Sequence, residues 1–388
     1  MRVLVTGQIG LDKKQYLEEA ATLAAARGEA GGLKVYHIGD MMYREARDVP
    51  PGRILDLPLS RLNSLRRAVF RDVLSDLAAP NAPRHAIVNT HATFRWKHGL
   101  FAAFDFDQLA LFNADLYVVL VDNIETVHAR MLRDHDLEHS LKDLMVWREE
   151  EILATEILAK APLPAGAAHV PRFLVMARGR SPGSTAETLY RLIFRPGMKK
   201  VYPSFPMSHV ADLPDTLAEI NEFRGKIAEH FIAFDPGDVD EKLLADAAIR
   251  AAQEGKGSLV IPHPAPVPGG GQPAESEKLT LKLHDLLAIL PDIDGQIYAR
   301  DFMLVRQADM IISYIPELPG GKPGLSSGVE RELQHAHDHG RDVYVIWKPK
   351  KEPSPFITQT ADRVFRSIAE AMEHFEAKGF LQAHSLFE

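Results

Sequence analysis

Short apolar runs alternate with longer amphipathic stretches along this chain. Runs typical of buried strands lie at 2–6, 201–204, 231–234, 259–261, 310–314 and 343–347. Amphipathic stretches that predict helices lie at 13–26, 213–229 and 296–307. Because strands that alternate with helices form parallel sheets covered by helices, the pattern predicts the α/β class.

The pattern restarts in the middle of the chain and predicts two domains. Pro196-Gly197 and a basic pair separate the first half from a new strand that begins at Val201. A length of 388 residues also exceeds that of most single domains. We therefore expect domains at 1–195 and 199–388, and we find no internal repeat that relates them.

The loop after the first strand has the pattern of a phosphate-binding loop. A strand, the glycines Gly7 and Gly10, and Lys13 at a helix start follow one another, as around the motif G-x-x-x-x-G-K-[ST]. Glycines let backbone N–H groups converge on phosphate, and the lysine neutralises its charge. Asp12 replaces the second glycine of the motif, and Lys14 replaces the hydroxyl residue that binds Mg²⁺. The motif therefore predicts phosphate binding with a weakened metal contact.

Further segments of the first half add to this pattern. They are the strand and helix start at 34–46, the segment Asn89-Thr90-His91-Ala92, the strand at 116–122, and the arginines Arg130 and Arg133. Over about residues 1–195 the chain resembles the archaeal-type adenylate kinases. The resemblance implies a P-loop NMP-kinase-like parallel sheet that binds ATP and Mg²⁺. It implies nucleotide contacts from Gly7, Gly10, Lys13, Lys14, Arg130 and Arg133. Asn89 stands where that family has an acidic residue that positions Mg²⁺, a metal on which phosphoryl transfer depends.

A second candidate site lies at 326–336. This stretch follows the apolar run at 310–314 and precedes the run at 343–347, so we expect it at the carboxyl edge of a parallel sheet, where α/β sheets bind ligands. Glu332 lies within the first two turns of its helix. Hydroxyl and backbone N–H groups for an anion come from Ser326, Ser327 and Gly328. An anion site beside a carboxylate is one hypothesis, and a simple helix cap is the other.

The second half contains other residues in the order expected of one superfamily. They are Tyr202 and Ser204 in the first strand, Ser208 after it, Asp301 in a helix, and the motif Ser326-x-Gly328-x-x-x-Glu332-Leu333-x-x-Ala336. Over about residues 199–350 these residues resemble the nucleoside 2-deoxyribosyltransferase superfamily, which includes nucleoside 5′-monophosphate N-glycosidases. The resemblance implies a flavodoxin/Rossmann-like domain in which Glu332 attacks the anomeric carbon and Asp301 assists the leaving base. It implies substrate contacts from Tyr202, Ser204, Ser208, Ser326, Ser327 and Gly328.

Ser326 bears on the substrate class. The transferases of the superfamily carry an acidic residue at this position, whereas the monophosphate hydrolases carry serine. A carboxylate would repel a 5′-phosphate, and a hydroxyl at a helix start favours it. Cleavage of an N-glycosidic bond passes through an oxocarbenium-like state, which an adjacent carboxylate such as Glu332 stabilises. Glu330 and Gln334 differ from the small residues that the superfamily has at those positions.

Composition narrows the classes of function. The chain has no cysteine, which excludes disulfides, thiol nucleophiles and cysteine-ligated metals. A formal net charge of −8 argues against nucleic-acid binding. No apolar run approaches the roughly 20 residues of a membrane span, so we expect a cytoplasmic protein without a membrane partner. His135 and His139 have the spacing of a metal site, but their polar, acidic surroundings favour a solvated helix face, and we predict no metal there.

The resulting hypothesis is hydrolysis or transfer at the N-glycosidic bond of a nucleoside 5′-monophosphate or related nucleotide. That reaction requires no cofactor, and the P-loop domain would supply substrate to it or regulate it, with ATP and Mg²⁺ as ligands. A homo-oligomer is expected by analogy with related enzymes. One alternative is a nucleotide kinase or ATPase with a substrate-sensing second domain. The sequence is also compatible with a non-catalytic nucleotide sensor and with an NAD-cleaving enzyme.

Overall fold

The computed structural model describes residues 1–29, 32–50, 52–96, 99–135, 139–161, 170–179, 184–207, 210, 212–263 and 277–381. The chain divides into two compact units. The first unit contains Met1–Tyr190 and Leu244–Ile293, and the second contains Arg191–Leu243 and Asp294–Glu388. Along the sequence the chain changes unit three times, and the boundary expected between 195 and 199 stays a prediction. These changes fall inside helices, after Tyr190, Leu243 and Ile293.

The elements of the first half alternate as the hydrophobic pattern predicts. In chain order they are β1 (Arg2–Thr6), α1 (Lys13–Ala26), β2 (Leu33–His37), α2 (Ile38–Glu45), α3 (Leu59–Leu77), β3 (His85–Asn89), β4 (Thr93–Trp96), β5 (Gly99–Ala102), α4 (Phe106–Phe112), β6 (Leu116–Val121), α5 (Ile124–His135), α6 (Leu141–Ala159), β7 (Arg172–Ala177) and α7 (Ser184–Phe194).

The second half continues the alternation with two short hairpins inserted. Its elements are β8 (Lys200–Ser204), α8 (Pro214–His230), β9 (Ile232–Ala233), α9 (Lys242–Gln253), β10 (Ser258–His263), β11 (Glu277–Lys282), α10 (Leu283–Ala288), α11 (Leu290–Gln307), β12 (Met310–Ile315), β13 (Glu317–Leu318), β14 (Lys322–Pro323), α12 (Ser327–Asp338), β15 (Asp342–Trp347), α13 (Pro355–Thr358), β16 (Arg363–Phe365) and α14 (Ile368–Ala377).

The first unit contains a parallel sheet in the order β2-β3-β1-β6-β7. A buried cluster joins Leu4 and Val88 of the sheet to Val69 and Phe70 of α3. Burial of apolar side chains of this size stabilises a fold by about 1.5–3 kcal/mol each. The chain runs outward from β1 to β2, returns to β3 beside β1, and then crosses to β6. The strand order therefore reverses around β1, and loops at the carboxyl ends of β1 and β3 lie side by side.

The second unit contains a parallel sheet in the order β9-β8-β12-β15-β16. Numbered within the unit, this is the flavodoxin-like order 2-1-3-4-5, whose ligand crevice lies where the order reverses. That point falls between β8 and β12, which are in register at Ser204 and Ser313. A buried cluster that includes Phe223 and Phe375 packs with the sheet. The prediction of an α/β protein with parallel sheets is confirmed, and the deoxyribosyltransferase-like assignment stays a prediction.

The apolar run at 259–261 forms a different kind of structure from the other strands. It lies in β10, which pairs antiparallel with β11 and belongs to the first unit. Residues 264–276, a stretch rich in Pro and Gly that follows this run, lie outside the described part of the chain. Within the part that is described, no helix combines the length and the apolar character needed to cross a membrane.

Candidate functional site

The loop after β1 adopts the backbone conformations that its glycines allow. Gly7 and Gly10 have φ of 135° and 84°. A Cβ on Gly7 would lie 2.6 Å from Leu11 Cδ1 and 2.7 Å from the Leu120 carbonyl oxygen. Asp12, with φ 48° and ψ 40°, takes the left-handed conformation at the start of α1. Because aspartate tolerates this region better than most residues, Asp12 can stand where the motif has glycine.

Lys13 lies buried in this loop. Its Nζ donates to the Gly7 carbonyl oxygen and lies 3.1 Å from Nδ1 of His91, which follows β3. Burial lowers the pKa of Lys13 to about 7, against the opposing effect of Glu151. The ammonium is therefore poorly stabilised within the loop, and an anionic ligand there would stabilise its charge.

Glu151 of α6 supports the same site. Its carboxylate accepts hydrogen bonds from the N–H groups of Ala92, at 2.9 Å, and Thr93, at 3.2 Å. Burial opposes its ionisation, but His91, Lys13 and the Ala92 N–H together hold the pKa of Glu151 below its ordinary value. No motif marks Glu151 in the sequence, so it is a site residue that the sequence analysis missed.

Arg130 of α5 contacts the loop directly. Its guanidinium lies 3.1 Å from the Asp12 carboxylate and 2.8 Å from that of Asp122, which follows β6, and it reaches the Gly10 carbonyl oxygen at 3.3 Å. Arg130 therefore neutralises the carboxylate that replaces the motif glycine. Arg133, which the resemblance also placed at the nucleotide, forms an ion pair with Asp134 at 2.6 Å.

The two positions of the expected metal contacts do not fit a side-chain site for Mg²⁺. Lys14 forms an ion pair with Asp40 at 2.7 Å, and the hydrogen bond to Asp40 raises its pKa. Asn89 Nδ2 lies 3.0 Å from His37 Nδ1, which leaves its Oδ1 as a neutral oxygen without a hydrogen-bond partner among the described residues. Mg²⁺ binds proteins chiefly through carboxylates. Across the described part of the chain, no group of His, Asp and Glu side chains is arranged to hold a metal.

Glu332 of α12 lies at the reversal point of the second sheet. Tyr202 donates its hydroxyl to one carboxylate oxygen at 3.0 Å, and Ser204 donates to the other at 2.6 Å. Both donors come from β8 and are fully buried. Ser313 of β12 donates to the Ser204 hydroxyl at 3.4 Å. Hydrogen bonds from β8, supported by β12, thus fix the orientation of this carboxylate.

Asp301 of α11 provides a second buried carboxyl group in the same unit. Burial raises its pKa to about 7, Arg300 opposes the shift, and Glu332 adds to it. Burial also raises the pKa of Glu332, whereas the hydrogen bonds from Ser204 and Tyr202 lower it. Asp301 Oδ1 has no hydrogen-bond partner among the described residues. Two coupled carboxyl groups of this kind can hold one proton at neutral pH, which is the requirement for acid–base chemistry.

The remaining predicted residues of this site have separate positions. Ser326 caps α12, and its hydroxyl accepts a hydrogen bond from the Val329 N–H at 3.2 Å. Ser327 and Gly328 are exposed in the first turn, and Ser208 lies outside the described residues.

Arg300, next to Asp301, has buried partners that the sequence analysis did not identify. It donates to the Val239 carbonyl oxygen at 2.6 Å and lies 3.4 Å from the Glu241 carboxylate. Both side chains of this ion pair are buried. No motif marks the pair in the sequence, because its members are 59 positions apart.

Comparison with known proteins supports the assignment of the first half. A family model described as an AAA domain matches residues 7–148. No curated protein matches the chain. The solved structures that it resembles include a gluconokinase from Sinorhizobium meliloti 1021, at 12% identity and TM-score 0.26, over 48% of this chain and 86% of that one. They also include a phosphoglycerate kinase from Coxiella burnetii, at 12% identity and TM-score 0.18, over 98% and 94%. TM-scores this low do not establish a shared fold.

The family match covers the loop at 7–13, the strands β3 and β6, and Arg130. Together with the parallel sheet, the match supports the prediction of a P-loop fold for the first half of the chain. The match ends before the second unit begins.

Proposed function

We propose that the first unit binds a nucleotide through its phosphates and is the phosphate-binding domain of a nucleotide kinase or ATPase. The buried ammonium of Lys13 carries this proposal. It stands at the N-terminus of α1, where backbone N–H groups and the helix dipole favour an anion. A phosphate in the loop would replace the Gly7 carbonyl as the partner of Lys13 and would restore its full positive charge. In phosphoryl transfer, Mg²⁺ carried by the nucleotide neutralises phosphate charge.

The test is nucleotide binding followed by turnover. We expect ADP and ATP to bind, and ATP with a panel of nucleoside monophosphates to form ADP. Lys13→Ala should abolish binding because it removes the charge in the loop. The matched control is Lys160→Ala, since Lys160 is an exposed lysine of the same unit that pairs with Glu156. Equal nucleotide affinity in Lys13→Ala and wild type would contradict the proposal.

A second function is supported by the environment of Glu332. Its carboxylate is held by two buried hydroxyls at the reversal point of the sheet, close enough to Asp301 to raise the pKa of that residue. In the proposed reaction, the C1′–N bond breaks, Glu332 stabilises or captures C1′, and protonated Asp301 gives its proton to the departing base. The oxygen of water or of an acceptor hydroxyl then bonds to C1′, releasing Glu332, and its proton returns to Asp301. Ser326, Ser327 and Gly328 would lie toward a 5′-phosphate.

Base release tests this second function. Incubation with nucleoside monophosphates, deoxynucleoside monophosphates and NAD should release a free base from at least one class. Glu332→Gln keeps the shape of the side chain and should abolish release. Glu330→Gln is the matched control, because Glu330 is exposed on the same helix. Release from NAD alone would select the NAD-cleaving alternative. Tight nucleotide binding without turnover at either site would select the sensor.

A further inference from the structure

We infer that this P-loop binds nucleotide phosphate without a side-chain ligand to a divalent cation, and that Arg130 supplies the positive charge instead. The inference rests on the proposed nucleotide binding by the first unit. It concerns how the charge of the phosphates is neutralised. It therefore predicts nucleotide binding that does not depend on Mg²⁺, a property that a P-loop alone does not imply.

The residues at the two metal positions are poor ligands for Mg²⁺. Lys14 replaces a hydroxyl with a cation, and its ion pair with Asp40 turns it to the side of α2. A cation at this position repels a divalent metal. Asn89 offers a neutral amide oxygen where a carboxylate is expected, and its amide nitrogen is engaged with His37. Neither side chain gives Mg²⁺ the charged oxygen that it prefers.

Arg130 lies against the loop that would hold the phosphates. Its guanidinium touches the loop at the Asp12 carboxylate and the Gly10 carbonyl oxygen, and it is anchored by Asp122, whose side chain is buried. A phosphate can take the place of Asp12 while Asp122 keeps the guanidinium in position. Arginine suits this role because its planar fork binds phosphate oxygens in pairs and stays charged at all relevant pH values.

The same geometry gives Asp12 a definite effect. Its carboxylate competes with the phosphate for Arg130 and repels it. Asp12→Asn should therefore strengthen nucleotide binding, whereas loss of Arg130 should weaken it. These opposite effects separate the inference from a purely structural role of the ion pair, since breaking the pair from either side would otherwise have the same result.

Calorimetric titration with ADP in EDTA and in Mg²⁺ tests the inference without turnover. We expect the two dissociation constants to agree within about threefold, which is well under 1 kcal/mol. Arg130→Gln should weaken binding at least about tenfold in both buffers. Because this variant leaves Asp122 buried without its cation, Arg130→Gln with Asp122→Asn provides a second variant, and thermal unfolding reports whether each is folded. Arg67→Ala is the matched control, since Arg67 also bridges two carboxylates, Asp105 and Asp107.

A converse variant restores the expected metal contacts. Lys14→Ser combined with Asn89→Asp should make ADP bind more tightly in Mg²⁺ than in EDTA. Wild-type binding that is at least about tenfold tighter in Mg²⁺ would overturn the inference and leave the proposed nucleotide binding intact. Wild-type affinity in both Arg130 variants would overturn the role of Arg130. Absence of ADP binding in both buffers would overturn the proposed function together with the inference.

Discussion

Lys13 is the residue whose titration gives the most direct test of the P-loop. Its pKa is lowered to about 7 by burial, and a bound phosphate favours the ammonium form. Above pH 7, binding must therefore take up a proton, and the affinity for ADP should fall by up to about tenfold per pH unit. Titration calorimetry in buffers of different ionisation enthalpy measures this uptake. Lys160→Ala should keep the same dependence, and binding at pH 8.5 without proton uptake would contradict the assignment.

Asp301 should act on stability in a pH-dependent way. Burial raises its pKa to about 7 in the folded state, above the ordinary value, so the folded protein binds more protons than the unfolded chain between these limits. Because the carboxyl of the unfolded chain ionises in this range while that of the folded protein stays protonated, stability falls progressively as the pH rises from about 4 to 7. Asp301→Asn should raise the free energy of unfolding more at pH 8 than at pH 4, as measured by urea denaturation.

Glu330→Gln provides the comparison for this measurement. Because Glu330 is exposed, its substitution should change the free energy of unfolding by no more than about 0.5 kcal/mol at either pH. An Asp301→Asn variant with the same gain at both pH values would show that Asp301 does not bury a charge.

At the scale of elements, the P-loop depends on close packing of its backbone. A Cβ on Gly7 would meet Leu11 and the carbonyl of Leu120, and its φ of 135° is one that side chains rarely adopt. Gly7→Ala should therefore lower the free energy of unfolding by about 1–3 kcal/mol. Gly39→Ala is the matched control, because Gly39 lies in α2 and a Cβ added to it would have nothing within 4 Å. Alanine there should be neutral or stabilising. Equal effects in the two variants would contradict this account.

Local pattern was sufficient to predict the elements around both sites. Apolar periodicity predicts β12 and β15, and Ser326 as a cap predicts the start of α12. The amphipathic stretch at 13–26 predicts α1. The partners of the site residues could not be predicted in this way. Glu151 meets Ala92 across 59 positions of the chain, a contact that only the folded sheet creates.

The pairing of strands could not be predicted from local pattern either. The apolar run at 259–261 has the same local pattern as the parallel strands, yet it pairs in an antiparallel hairpin whose second strand begins after residue 276. The left-handed backbone conformation of Asp12 could not be predicted from the sequence pattern either, because the motif has glycine at that position. Sequence reasoning therefore singled out Lys13 and Glu332 as candidate site residues but could not predict the contacts that surround them.

At the scale of the whole molecule, two parallel sheets each present a site at the point where strand order reverses. Lys13, His91 and Arg130 belong to the first unit, whereas Tyr202, Asp301 and Glu332 belong to the second. The hydrogen bonds and ion pairs described for each site come from its own unit. These contacts therefore predict two sites that can be disabled separately.

Crossed variants test this separation. Glu332→Gln should abolish base release and leave the dissociation constant of ADP within about twofold of wild type, since the contacts described for the P-loop all come from residues of the first unit. Lys13→Met should abolish ADP binding and leave base release measurable, because Glu332 keeps its bonds to Tyr202 and Ser204. Both variants are assayed for both properties under one buffer condition. Loss of both properties in either folded variant would mean that the two sites act as one, and base release would then depend on occupancy of the P-loop.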